Sequence, residues 1–209
     1  MNKDRTSMFK LLLMFLAYVI ITALPLLTLK IYNPDASFLI MVSTEFSLAI
    51  IAYFFYFRHY PGFSLRIRSS QNILHTFVFY AIIVVALQLL AFFIVQHNTP
   101  SAPTRFPALL IIILIIIAPI YEEFFFRGCL WGGLNLIVKR NITAGVITSI
   151  VFCAMHTQYN DLFYFLVLFI SSLLMAHMRL RTNGLIYPIA LHSIMNLSFV
   201  IINTQNVYR

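Results

Sequence analysis

Two adjacent carboxylates and an arginine, Glu122, Glu123 and Arg127, follow directly on the apolar run Leu109–Ile120. An ionisable side chain at membrane depth costs at least ~2.5–3.5 kcal/mol on insertion scales, so each is a functional candidate by default. Glu123 and Arg127 stand i, i+4 on one helical face with the acid first, the order that favours an ion pair. Such a pair offsets part of the insertion cost of both. Glu122 lies about 100° round the helix and has no partner in its own segment. A carboxylate left alone in an apolar site suits a general base near neutral pH.

Candidate partners for Glu122 come later in the chain. Phe152 and His156 share a helical face at i, i+4, and so do His192 and Asn196. A carboxylate, two histidines and an asparagine, each from a helix interior, can activate a water and hydrogen-bond a developing oxyanion. Glu122, His156 and His192 can instead hold Zn²⁺ with one position open to water, although the spacing lacks the H-E-x-x-H pattern.

The set E-E-x-x-x-R (Glu122, Glu123, Arg127), F-x-x-x-H (Phe152, His156) and H-x-x-x-N (His192, Asn196) resembles the three motifs of the CPBP intramembrane proteases. That family, also called Abi, includes type II CAAX prenyl endopeptidases and bacteriocin-immunity-type homologues. The resemblance covers roughly residues 109–202; residues 1–106 match only as generic membrane helices. It implies an intramembrane endopeptidase in which Glu122 is the catalytic carboxylate and His156 helps to activate water. By the same resemblance His192 and Asn196 stabilise the tetrahedral intermediate, while Glu123 and Arg127 support or orient. The resemblance is compatible with a zinc enzyme on Glu122, His156 and His192 and with a glutamate-only one. Direct carboxylate activation without a cofactor is favoured. The implied partner is a peptide or membrane-protein substrate.

The elements that must position these residues follow from composition. The 209 residues are 61% hydrophobic and 10% charged, against about 25% charged in a soluble domain. An all-α integral membrane protein is expected, a bundle of about seven transmembrane helices: Leu11–Leu29, Phe38–Phe57, Ile73–Val95, one from Pro107 towards Lys139, Ile142–His156, Leu162–Met178 and Gly184–Ile202. Residues 1–106 read as an N-terminal three-helix region and 107–209 as the catalytic core, within one structural domain. A cytoplasmic N-terminus and an outside C-terminus put Lys3, Arg5, Lys10, Arg58, Arg66, Arg68, Lys139, Arg140, Arg179 and Arg181 inside, against Lys30, Arg105 and Arg209 outside. The net charge of +8 therefore sets orientation and meets the lipid bilayer's anionic head groups, with no nucleic acid implied. The expected location is a bacterial inner membrane. Cys129 and Cys153 read as buried small hydrophobes.

Two points stay open at this level. Glu45 is an intramembrane acid outside every motif; it pairs with Arg127 or lines the cavity. Along straight helices Glu122 falls in the inner part of the fourth span and His156 near the outer end of the fifth. A shared site requires the fifth helix to stop short or the fourth to bend at Pro119. Competing readings are a proton-coupled transporter using Glu45, Glu122 and the histidines as a relay, haem ligation by paired histidines, and a non-catalytic immunity-type binding protein.

Overall fold

In lipid every backbone donor and acceptor must be satisfied within the protein, and apolar runs of this length do so as helices. The computed structural model describes residues 3–98, 106–157 and 161–204, and no strand forms among them. Seven helices result: α1 (Arg5–Thr28), α2 (Pro34–Phe57), α3 (Gln71–Asn98), α4 (Ala108–Val138), α5 (Asn141–Ala154), α6 (Leu162–Thr182) and α7 (Ile186–Thr204). Six are long and apolar enough to cross a membrane, and α5 is not. With 14 residues, α5 reaches only ~21 Å against a hydrocarbon core of ~30 Å. The connection expected over 96–106 falls largely outside the described residues.

Helix ends carry recognisable stops and starts. A turn at Ala23–Leu24 interrupts α1, because Pro25 offers no N–H to continue the ladder. Asn33 caps α2 by accepting from the Ala36 N–H at 2.8 Å, with Pro34 in the first turn. Asp161 caps α6 through the Phe163 N–H at 2.7 Å. Lys139 and Asn183 close α4 and α6 in the left-handed region, at φ 51 and 47. The sixth helix runs to Thr182, a turn beyond the expected Met178, so Arg179 and Arg181 are helical rather than in a connection.

α4 is the central element, packed by α1, α2, α5 and α7. It is not uniformly α-helical: Ile113–Ile117 and Phe124–Leu130 are π-helical. Pro119 accounts for the first of these. Ala118 donates five residues back to the Ile113 carbonyl, which skips Leu114, and the next residue in line for Leu114 is a proline without an N–H. The Leu114 carbonyl is taken instead by Asn196 Nδ2 from α7, at 2.7 Å. In the second run Trp131 donates to Gly128 and Phe126, and the passed-over Arg127 carbonyl accepts from Arg179 Nε at 3.2 Å. π-Turns inside helices gather at functional sites; these two bracket Glu122 and Glu123.

The Gly128-x-x-x-Gly132 spacing serves close approach. A Cβ at Gly128 would meet the Phe63 ring at 2.5 Å, and one at Gly132 would meet Leu11 at 3.3 Å. Phe63 belongs to the α2–α3 connection, which is pinned to the α6–α7 turn by Leu185 N–H to the Ser64 carbonyl, 2.8 Å, and by Tyr187 Oη to the Arg68 carbonyl, 2.6 Å. Many aromatic residues do face outward, Phe54, Phe55 and Tyr56 among them. Others, expected only as lipid-facing packing, form a buried cluster of Tyr18, Phe125, Phe126 and Phe152, with the partly buried Phe15 packed against it. Cys129 and Cys153 are buried and free.

Candidate active site

Glu123 and Arg127 meet as their spacing implies, Arg127 Nη1 donating to Glu123 Oε1 at 2.9 Å with both side chains fully buried. Arg127 Nη2 also donates to Ser172 Oγ at 2.7 Å and to the Ser172 carbonyl at 3.2 Å on α6. The Phe152 ring covers the guanidinium, 4.5 Å from Cζ to centroid, a cation–π contact strengthened by burial. Arg127 is thus locked to three helices.

The same Glu123 oxygen accepts a second bond, from His192 Nδ1 at 2.9 Å. A carboxylate only accepts, so His192 carries its proton on Nδ1 and presents Nε2 with a lone pair. His156 reaches the same tautomer by another route: its Nδ1 donates to the Phe152 carbonyl four residues back, 2.7 Å. Both Nε2 atoms then face one atom, Glu122 Oε2, at 3.9 Å each. That oxygen is buried and has no hydrogen-bond partner among the described residues. The gap is too long for direct hydrogen bonds and fits a bridging molecule.

The expected residues therefore divide. Glu122, His156 and His192 are brought together, on α4, just past α5 and on α7. His156 lies two residues beyond the end of α5 rather than in a helix interior, a correction to the reading above. Of the two compensations expected for its depth, the short α5 is present; next to Pro119, α4 changes its winding to a π-turn. Asn196 is on α7 one turn from His192, and one of its N–H groups is engaged by the Leu114 carbonyl; a primary amide keeps a second N–H.

Glu45 does not pair with Arg127. It is 1% exposed and accepts from Thr22 Oγ1 at 2.7 Å, with a further hydrogen bond to the Tyr121 side chain. Two neutral donors thus hold an acid that the sequence left without a partner. The spacing also gave no sign that Glu123 would orient a histidine 69 residues away. Nor did it show that Phe152 would contribute both a carbonyl to His156 and a ring to Arg127. The F-x-x-x-H and E-E-x-x-x-R spacings mark these residues without stating those roles.

One carboxylate oxygen and two imidazole nitrogens are donors of the type zinc takes, and the orphaned buried Glu122 Oε2 matches that chemistry. Among the described residues, however, no group of three or more His, Cys, Asp or Glu is arranged to hold a metal ion. The set as it stands is looser than a coordination sphere, which would need to close by a few tenths of an ångström or more.

A carboxylate and two imidazoles thus face one gap in an all-α membrane bundle, backed by a buried ion pair. Residues 104–198 match the family model described as type II CAAX prenyl endopeptidase Rce1-like. That stretch, a little under half of the chain, is similar to the CPBP/CAAX protease family. It is also 35% identical over 88 residues to an Escherichia coli protein described as an uncharacterized 24.3 kDa protein, a match spanning 40% of this chain and 39% of that protein's length. No solved structure matches it.

Proposed function

We propose that the protein is an intramembrane endopeptidase that hydrolyses a peptide bond with a water held between Glu122, His156 and His192. The observation that carries this reading is the convergence of both Nε2 atoms on Glu122 Oε2 at 3.9 Å. A water in that gap donates one hydrogen to the Glu122 carboxylate and the other to an imidazole. Glu122 takes its proton as the oxygen attacks the scissile carbonyl carbon. The oxyanion that forms needs donors. The second N–H of Asn196 is one. His192 Nε2, held as an acceptor by the Nδ1–Glu123 bond, takes a hydrogen bond from the attacking water and then from the intermediate's hydroxyl. Collapse of the intermediate breaks the C–N bond, and the proton held by Glu122 passes to the leaving amine.

The substrate is a peptide or membrane-protein segment entering from the cytoplasmic side. The deciding experiment is cleavage of such a substrate by purified wild-type and Glu122→Ala protein, with metal content measured on both. Full cleavage by Glu122→Ala sinks the assignment. The orphaned Glu122 oxygen also supports a second reading, in which Glu122, His156 and His192 hold zinc, whose Lewis acidity would activate the bound water. Stoichiometric zinc in active protein, with loss of activity on chelation and return on zinc addition, selects that reading over the metal-free one.

A further inference from the structure

The membrane bundle contains a second buried guanidinium, and unlike Arg127 it has no acid. Arg179, on α6, is 4% exposed. Its Nε donates to the Arg127 carbonyl at 3.2 Å, its Nη1 to Asn183 Oδ1 at 3.3 Å, and its Cζ sits 4.2 Å from the Trp131 ring centroid. All three partners are neutral. Among the described residues no carboxylate lies within ion-pair distance of it. A buried cation without a counter-charge is costly. Gly62, at φ 90, packs so closely on this guanidinium that any Cβ would overlap Nη2, so the surrounding chain is shaped to it.

Arg179 lines a cavity of about 840 Å³ together with Asn135, His59, Trp131, Tyr60 and Leu136. Asn135 Oδ1 is buried there without a hydrogen-bond partner among the described residues. The cavity thus offers an unneutralised donor fork and a separate acceptor awaiting a donor, with apolar walls between. Its lining includes His59, Asn141 and Leu180, the sequence neighbours of Arg58, Arg140 and Arg181. Glu122, His156 and His192 do not line it.

We propose that this cavity binds the head group of an anionic glycerophospholipid, with the phosphate on Arg179 and a head-group hydroxyl donating to Asn135. Basic pockets between membrane helices on the cytoplasmic side take such lipids, and a planar guanidinium matches two phosphate oxygens at once. Trp131 is the sole tryptophan and stacks on the guanidinium, so its fluorescence reads the site directly.

The test uses full-length protein in mixed micelles, titrated with phosphatidylglycerol, phosphatidylcholine or inorganic phosphate. Phosphatidylglycerol should give a saturable Trp131 change at about one lipid per protein and raise Tm by several degrees, as binding to the folded state requires. Phosphatidylcholine should do neither. Arg179→Gln, which keeps a donor for the Arg127 carbonyl, should abolish the phosphatidylglycerol effect, and Arg181→Gln at an exposed position of α6 should keep it. Equal responses to the two lipids overturn the proposal, as does an unaltered response in Arg179→Gln. An inorganic phosphate effect as large as the lipid's overturns the lipid source. Should Arg179→Gln fail to fold, the wild-type comparison of the two lipids decides alone. A peptide carboxylate as occupant would instead raise KM in Arg179→Gln with no lipid dependence, and that result also counts against the proposal.

Discussion

Glu122 and Glu123 are chemically identical neighbours that differ in burial, 14% against 0% exposed, and more sharply in their partners. Glu123 gives one oxygen to Arg127 and His192 together, whereas Glu122 points an unpartnered oxygen at two imidazole lone pairs. Glu122→Gln should therefore lower cleavage by about 10²-fold or more, in the range of a lost general base, with little change in thermal unfolding. Glu123→Gln should behave in the opposite order. Loss of the charge strands Arg127, and breaking a buried pair from one side costs about 3–5 kcal/mol, visible as a large fall in Tm. Adding Arg127→Met removes the stranded charge and should recover most of that stability, because paired apolar replacements of buried ion pairs are often near neutral. Cleavage should stay low, since His192 still lacks the acceptor that fixes its tautomer. Recovery of both stability and cleavage in the double variant would argue that Glu123 serves only to neutralise Arg127.

At the scale of elements, the end of α5 at Ala154 fixes where His156 lies, and α4 departs from regular winding on either side of Glu122. The Asn196–Leu114 bond exists because Pro119 leaves a carbonyl without a donor. Asn196→Ala should orphan that buried carbonyl and cost about 1–3 kcal/mol, measured by thermal or denaturant unfolding in detergent. Pro119→Ala supplies an N–H five residues after Leu114 and should return part of the loss in the double variant. If Asn196 also donates to the oxyanion, cleavage will remain depressed in that stabilised double variant; if it returns with stability, the amide is purely structural. The seven helices themselves were legible in the sequence, because hydropathy over about 20 residues reports length and burial, although the fifth is too short to be the full span expected of it. The two π-turns were not, since inserting an extra residue per turn leaves composition unchanged. Pro119 marked one of them, but only as a bend. Nothing comparable marks Phe124–Leu130, where the Arg179 side chain from α6 takes up a backbone carbonyl. Contacts between distant elements, such as Thr22 and Tyr121 to Glu45, are beyond any pattern read along one segment.

For the whole molecule, the bundle wraps its polar centre from both halves of the chain. α1 and α2 pack on α4, and α3 packs on α6 and α7, so the N-terminal helices are walls of the site rather than an appendage. The distribution of Lys and Arg that suggests a cytoplasmic N-terminus also assigns faces: the Arg179 cavity inside, and the α7 end outside. Seven passes require α5 to count as one despite its ~21 Å length. The contacts fix the faces of both ends even so: Ser7 lines the Arg179 cavity, and α7 starts at that same end, where the Leu185 N–H meets the Ser64 carbonyl. α7 then ends at the opposite face. Cysteine labelling tests this arrangement, because Cys129 and Cys153 are buried and should stay silent to a membrane-impermeant maleimide. A Ser7→Cys variant should label only after the cytoplasmic face is opened, and a Thr204→Cys variant should label in intact cells. Labelling of both positions only after permeabilisation would contradict the packing of the α6–α7 turn on the α2–α3 connection.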